Sequence, residues 1–412
     1  MADAITTRGS EVCRSCAAPD LVSVLDLGDQ PLSNDMGLTA DDELSAYPLH
    51  LRICPRCGLG QVGEFVLPDR IFGDNYPYLS STSTSWLEHA RGYAHDRTDE
   101  LRLDSGQLVL EVASNDGYLL AEFQRLGVRV LGVEPARNVA LVAQEAGVPT
   151  ITAFFGRATA EAIVAEHGHP RLVVANNVMA HVPDLHDFVA GFAELADDDT
   201  VITVENPSLV SLLTEAQFDT IYHEHYSYLT AHAVRTVVRE HGLELVRVDQ
   251  LATHGGSNRY WIRRSGDPDA SVARTLAGET RAGLFDAAVW QSFAERSEAA
   301  IEGLRGWLDE RAASGRAVAG YGAAAKGNTF LNAVGEAART LRYVVDGSAE
   351  KQGKYLPGSR VPVLAPAALA QKPVDDVVIL PWNLAVELGG LVHQLAPGAE
   401  SWVALPRMAK LS

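Results

Sequence analysis

Residues 108–120 read LVLEVASNDGYLL: a mostly apolar run carrying an acid, a short turn, and the start of a helical stretch. An almost continuous apolar run suits a strand buried on both faces of a parallel sheet. A nucleotide-binding turn places glycines where the backbone must approach its ligand. Here the three turn positions are Ala113, Asn115 and Gly117, so the turn is a degenerate form of the dinucleotide fingerprint. Asn115 and Asp116 are residue types that still adopt the left-handed conformations such a turn needs.

Working outward, residues 107–113, 128–134, 171–176 and 200–205 predict strands, with helical segments such as 119–126 and 139–146 between them. Strand–helix alternation predicts an α/β domain with a parallel sheet covered on both faces. The second strand ends on Glu134, where a carboxylate is placed to accept hydrogen bonds from the hydroxyls of an adenosine ribose. Residues 267–313 are rich in Ala, Glu, Arg and Leu at helical spacing and predict one or two connecting helices. A second α/β series follows, with strands at 317–321, 342–345 and 377–380. Its first turn carries Gly320, Gly322 and Gly327 with Lys326, and Asp346 ends its next strand. Backbone N–H groups at a helix N-terminus favour an anion such as a pyrophosphate. The spacing is not that of a Walker A motif.

At roughly 100–200 residues per domain, 412 residues hold two to four domains. The formal net charge of −19 argues against a nucleic-acid polymer or an anionic membrane as partner. It leaves room for a small anion in a local nest of N–H groups. The absence of a signal-like N-terminus or a long apolar run leads us to expect a cytoplasmic protein. The only cysteines are Cys13, Cys16, Cys54 and Cys57, two C-x-x-C pairs. Four thiolates at this spacing suit one structural, tetrahedral Zn²⁺ with no open coordination position. The expected layout is a zinc-binding module (1–72), an α/β domain (73–266), a helical connection (267–313) and a second Rossmann-like α/β domain (314–412).

Residues 222–230 read YHEHYSYLT, a run of His, Glu and Tyr too costly to bury without purpose. The H-E-H spacing is not that of a zinc protease. Extended alternation would set Tyr222, Glu224 and Tyr226 on one side, and His223 and His225 on the other. The Glu-x-Ala-x-Asn-x-Gly turn, the ribose acid and the segment from Asn177 to His181 resemble class I methyltransferases that use S-adenosylmethionine (SAM). A NAD-dependent dehydrogenase is the alternative for this domain.

Taken together, the cysteine module, VASNDG, HEHYSYLT, HGGS at 254–257 and GYGAAAKGNTFLN at 320–332 resemble the deoxysugar C-methyltransferases of antibiotic pathways, over essentially the whole chain. The resemblance implies methylation of a ring carbon, typically C3, of a dTDP-linked 4-keto sugar, and looks closest to the subgroup acting on 3-amino-2,3,6-trideoxy sugars. It places Glu111, Ala113, Asn115, Gly117, Glu134 and Asn177 around SAM. His225 is the expected base, with His181 as second choice, because imidazole titrates near neutral pH. Glu224, Tyr222 and Tyr76 are candidates to orient the sugar or stabilise charge on its keto oxygen. Residues 75–86, NYPYLSSTSTSW, are a lid or a polar linker. Ser257, Arg259, Gly322, Lys326 and Asn328 are candidates to hold the nucleotide-sugar. For the C-terminal domain, a working NAD site and a scaffold role stay open. C5-methylation, a non-amino sugar, O-methylation, a nicotinamide oxidoreductase and a non-catalytic zinc- and nucleotide-binding scaffold are the competing functions. The sequence leaves the oligomeric state open.

Overall fold

The computed structural model of the chain describes residues 11–66, 68–73, 76 and 79–411. Of the segment NYPYLSSTSTSW, Asn75, Pro77 and Tyr78 lie outside the described residues. In chain order the described strands are β1 (Val22–Pro31), β2 (Ala46–Ile53), β3 (Gly60–Gln61), β4 (Leu108–Val112), β5 (Arg129–Val133), β6 (Thr150–Ile151), β7 (Leu172–Asn176), β8 (Val201–Pro207), β9 (Ser227–Tyr228), β10 (Glu244–Leu251), β11 (Ser257–Arg263), β12 (Val318–Tyr321), β13 (Leu341–Val345), β14 (Val363–Leu364), β15 (Asp376–Ile379), β16 (Glu400–Val403) and β17 (Ala409–Lys410).

The chain divides into two compact units that do not follow chain order. The first comprises Met1–Val22, Ile53–Leu209 and Tyr226–Phe285; the second comprises Ser23–Arg52, Val210–His225 and Asp286–Ser412. Within the stretch expected as a zinc-binding module, 1–72, residues Ser23–Arg52 group with the second unit. The 267–313 connection is also divided. It forms two helices, Ala270–Arg281 in the first unit and Ala287–Ser314 in the second. Each starts at an aspartate whose side chain accepts a backbone N–H, Asp269 from Ser271 and Asp286 from Ala288. The second helix stops at Gly315, whose φ of 70° only glycine adopts cheaply.

In the first unit, seven strands form one sheet in the order β10-β11-β8-β7-β4-β5-β6. The strands from β4 to β8 run parallel, and β11 and β10 close the edge as an antiparallel hairpin. Strand side chains alternate between two cores. Leu108, Leu110, Val112, Val173 and Ala175 pack on one face. Val109, Leu172 and Val174 pack on the other, against Trp86, Tyr93 and Phe123. The chain reverses its direction of travel across the sheet between β4 and β7. In open α/β sheets that switch point, at the carboxyl ends of the strands, is where ligands bind.

The second unit repeats the principle on a smaller scale. Its sheet order is β14-β13-β12-β15-β16-β17, parallel except for β17. Its switch point lies between β12 and β15. No described helix is long and apolar enough to cross a membrane.

Candidate active site

The cysteine pairs sit on two matching turns. Cys13 and Cys54 donate backbone N–H to Ala18 and Leu59, and accept from Ala17 and Gly58. Each turn ends on a left-handed residue, Ala17 (φ 53°) and Gly58 (φ 73°). A side chain on Gly58 would meet Leu284 Cδ2 at 2.6 Å, so glycine is required there twice over. The four sulfurs lie within 4.8 Å of one another. The Cys13–Cys57 and Cys16–Cys54 contacts are 3.4 and 3.5 Å. A tetrahedral ion with bonds of about 2.3 Å needs sulfurs at about this separation. Hydrogen bonding from Cys57 pushes the Cys13 thiol down to about 5, while the same contact and burial push Cys57 up. Four thiolates so close need a cation between them.

The turn after β4 takes the form a ligand-holding loop needs. Ala113, Asn115 and Gly117 have φ of 54, 50 and 78°. Asp116, expected to share this conformation, does not; the alanine does instead. Backbone strain of this kind persists where the surroundings over-determine it. Glu134 accepts N–H from Asn115 at 2.9 Å and from Ala136 at 2.8 Å. Burial nevertheless pushes its carboxyl up to about 7. Burial, reinforced by the charges of Asp116 and Glu134, also raises Glu111 well above the usual carboxylate range. The buried oxygens Glu111 Oε2 and Asp116 Oδ1 have no hydrogen-bond partner. Acid oxygens that are buried without a partner suit a ligand carrying positive charge, and SAM carries a sulfonium and an ammonium.

Over this turn lies the segment around residue 80. Ser80 N–H donates to Asn115 Oδ1 at 2.8 Å, and Ser81 N–H to Asp116 Oδ2 at 3.1 Å. Their backbones, rather than the hydroxyls the sequence singles out, make these contacts. Tyr76 exchanges backbone hydrogen bonds with the Asn138 amide. Phe72 packs its ring against Tyr76 at 5.4 Å and against His181 at 5.7 Å, which brings two of the candidate residues to one aromatic cluster.

Ser257 and Arg259 are occupied within the first unit. Ser257 Oγ donates to the Thr253 carbonyl. Arg259 lies opposite Glu205 in the β8–β11 register and bonds its Oε2 at 2.5 Å. Glu205 is fully buried and also receives His89 and Thr253, at 3.0 and 3.1 Å. Sequence reasoning missed Glu205 and His89, and took His254 only as part of the HGGS motif; the available signal was an acid at the carboxyl end of a predicted strand, residues 200–205.

In the second unit the YHEH run forms a turn rather than a strand, with His225 N–H donating to the Tyr222 carbonyl at 3.0 Å. The expected alternation is thereby corrected: three residues apart across a turn, Tyr222 and His225 come to the same side. Their rings lie 4.0 Å apart, and the Tyr222 hydroxyl bonds His225 Nε2 at 2.7 Å. His225 Nδ1 faces the Thr220 carbonyl at 3.1 Å, a contact that suits a proton on Nδ1. His223 turns away to the Tyr47 carbonyl. Glu224 is buried and takes both oxygens to Asn34 Nδ2, at 2.7 and 2.9 Å. Burial pushes its carboxyl up to about 7, against the pull of Asn34 and the charge of Lys351.

At the second switch point Gly322 has a φ of 92°, and a Cβ there would meet Pro381 Cδ at 2.5 Å. Gly327 is equally close-packed, 2.7 Å from Leu380 Cβ by the same measure. Asp346 accepts Ala323 N–H at 2.7 Å. Lys326 reaches Asn383 Oδ1 at 2.8 Å and lies over the Trp382 ring, while Lys351 bonds the Ala323 carbonyl at 2.9 Å. Asn328 is buried with both amide atoms unpartnered. Lys351, Trp382 and Asn34 were not singled out from the sequence, because a lone Lys, Trp or Asn in a loop carries no pattern.

Three families match the chain. Residues 13–72 match a zinc binding domain, residues 86–248 a methyltransferase domain, and residues 252–406 a C-methyltransferase C-terminal domain. C-methyltransferase NovU from Streptomyces niveus is 36% identical over 386 residues, covering 92% of this chain and 92% of its own. Among solved structures, magnesium protoporphyrin IX methyltransferase from Synechocystis with bound SAH is 16% identical and has a TM-score of 0.36, covering 48% of this chain and 92% of its own. A SAM-dependent methyltransferase from Anabaena variabilis is 13% identical and has a TM-score of 0.37, with the same two shares, 48% and 92%.

Proposed function

The chain belongs to the C-methyltransferase family, and we propose that it methylates C3 of a dTDP-linked 4-keto sugar, of the 3-amino-2,3,6-trideoxy type. It is a SAM-dependent methyltransferase with a zinc-binding N-terminal module. The Tyr222–His225 pair carries the proposal, because the imidazole meets a phenol at Nε2 and a backbone carbonyl at Nδ1.

A hydrogen on the carbon next to a ketone is acidic enough for imidazole if the enolate oxygen is stabilised. The Tyr222 hydroxyl holds the Nε2 lone pair until substrate arrives, then turns to the keto oxygen and frees it. His225 Nε2 takes the C3 proton, the C3–H electron pair moves into the enolate, and negative charge collects on the C4 oxygen. The C3 carbon then forms its new bond to the methyl group as the sulfur–methyl bond breaks. SAM supplies that electrophilic methyl group when bound. Glu111, Asn115, Glu134 and Asn177 hold the donor, and the unpartnered oxygens of Glu111 and Asp116 answer its positive charge. Glu224, protonated in part near neutral pH, and Tyr76 and His181 orient the sugar. Lys326, Gly322 and Asn328 receive the pyrophosphate and nucleoside.

The test is an assay with SAM and a panel of dTDP-4-keto sugars, the products read by mass and NMR. A new methyl carbon on C3 supports the proposal. A methyl on C5 or on oxygen replaces it with one of the competing transferase readings, and no methyl transfer to any member of the panel defeats it.

A further inference from the structure

Among the described residues, eight other than glycine hold positive φ, and four of them meet at the carboxyl end of the first unit's sheet: Ala113, Asn115, Asn177 and His254. The first three belong to the donor site proposed above. His254 does not; it lies in the turn between β10 and β11, with φ 55° and ψ 21°. A left-handed histidine followed by two left-handed glycines is an uncommon and costly backbone, so something must hold it there.

The contacts show what does. Glu205, buried and clamped by Arg259 and His89, receives the Thr253 hydroxyl. The Thr253 carbonyl in turn receives Ser257 Oγ, and Gly256 receives Ser208 N–H. The turn is thereby pinned on both sides of His254. The His254 ring packs on Trp86, at 5.2 Å between centroids. Its Nε2 lies 3.3 Å from Asn177 Nδ2. Asn177 is also tied at its backbone, donating N–H to the Glu205 carbonyl at 2.7 Å. Glu205 thus reaches Asn177 by two routes, one through the backbone and one through Thr253 and His254.

We propose that His254 is a positioning residue for the methyl-donor site: it holds the Asn177 side chain in place at the switch point, and Glu205 anchors the turn that presents it. The inference rests on the reading of Asn177 as a donor-site residue. It gives the HGGS motif a role in binding the donor, separate from the sugar.

The test is a double-mutant cycle read by calorimetric binding of S-adenosylhomocysteine to the full chain, with no sugar present. Asn177→Ala and His254→Ala are each expected to weaken binding about five- to tenfold, the scale of one lost hydrogen bond at a site. The double variant should be no weaker than either single, because both remove the same contact. His254→Gln keeps an acceptor at this position and should recover most of the loss. Circular dichroism and melting temperature identify any variant that has merely unfolded, and for such a variant the His254→Gln comparison decides. Unchanged binding in His254→Ala, additive losses, or no recovery with Gln overturns the inference. An Asn177→Ala variant with unchanged affinity overturns it together with the donor-site reading of Asn177. Loss on Asn177→Ala alone leaves that reading standing and removes only His254.

Discussion

Replacing Arg259 with Met separates a structural role from a substrate-binding one. The guanidinium lies 2.5 Å from Glu205 Oε2 and 4.4 Å from the Tyr93 ring, and Glu205 has no exposed surface. Without Arg259, the carboxylate keeps only His89 and Thr253. Breaking a buried ion pair by removing one partner costs about 3–5 kcal/mol, against about 0–1 kcal/mol for an exposed pair. At roughly 2–4 °C per kcal/mol for a unit of this size, the melting temperature falls by about 6–20 °C. The pH dependence follows from the same contact. Burial raises the Glu205 carboxyl, but His89 and Arg259 outweigh it and hold the group below its ordinary 4.5. A depressed carboxyl adds stability that is present above its unfolded value and lost as pH falls through its folded value. Arg259→Met should shrink that acid-side loss, because the advantage is already gone at neutral pH. Glu205→Gln combined with Arg259→Met should recover part of the stability, since no unpaired charge then stays buried. Calorimetry across pH 3–8 reads all three. A loss under about 1 kcal/mol with a sharply weaker nucleotide-sugar affinity would refute the structural assignment and return Arg259 to the substrate.

His225→Asn is expected to lower methyl transfer by a factor of about 10²–10⁴, the range for a general base, with S-adenosylhomocysteine affinity unchanged; a near-normal rate sinks the assignment. Elemental analysis should find about one zinc per chain, and Cys57→Ser should lose it along with thermal stability, whereas metal-free wild-type protein would remove zinc from the N-terminal module. Glu224, pushed up to about 7 from 4.5, binds its proton more tightly folded than unfolded, so its contribution to stability declines as pH rises from about 4.5 to 7. Glu224→Gln should flatten that decline by up to about 3 kcal/mol in total, measured by denaturation at a series of pH values. Lys326→Ala should weaken dTDP binding about tenfold in calorimetry; equal affinity excludes Lys326 from the pyrophosphate.

The pattern of apolar runs made the parallel parts of the two sheets legible, because a strand buried on both faces leaves a nearly continuous apolar signature. The cysteine turns were legible for a similar reason: ligand chemistry fixes spacing as well as residue type. What stayed hidden depends on chain reversal. Tyr222 and His225 look like opposite-facing residues until a turn puts them together, and no residue between them is a strong turn former. Glu205 and Arg259 are 54 positions apart and become partners only through strand register. The grouping of Ser23–Arg52 with the C-terminal unit has no local marker, because a compact unit is defined by contacts rather than by composition. Glycines were informative in an unexpected way. Gly322 and Gly327 read as nucleotide-turn glycines, yet at each an added Cβ would also come closer than van der Waals contact to a packed side chain, Pro381 or Leu380.

The two units use one device at their switch points. In each, the acid ending the second strand accepts a backbone N–H from the turn after the first: Glu134 from Asn115 and Asp346 from Ala323. The device braces the turn and is neutral as to ligand, which is why turn spacing alone could not tell a dinucleotide site from a SAM site. The groups added around the brace differ in sign. The first unit adds Glu111 and Asp116, buried and with unpartnered oxygens. The second adds Lys326 and Lys351. Acid oxygens without a partner favour positive charge nearby and lysines favour negative charge, so the two turns differ in the sign of ligand they suit. A net charge of −19 does not forbid an anionic ligand, because donors and lysines act at short range while the global field is screened beyond about 8–10 Å.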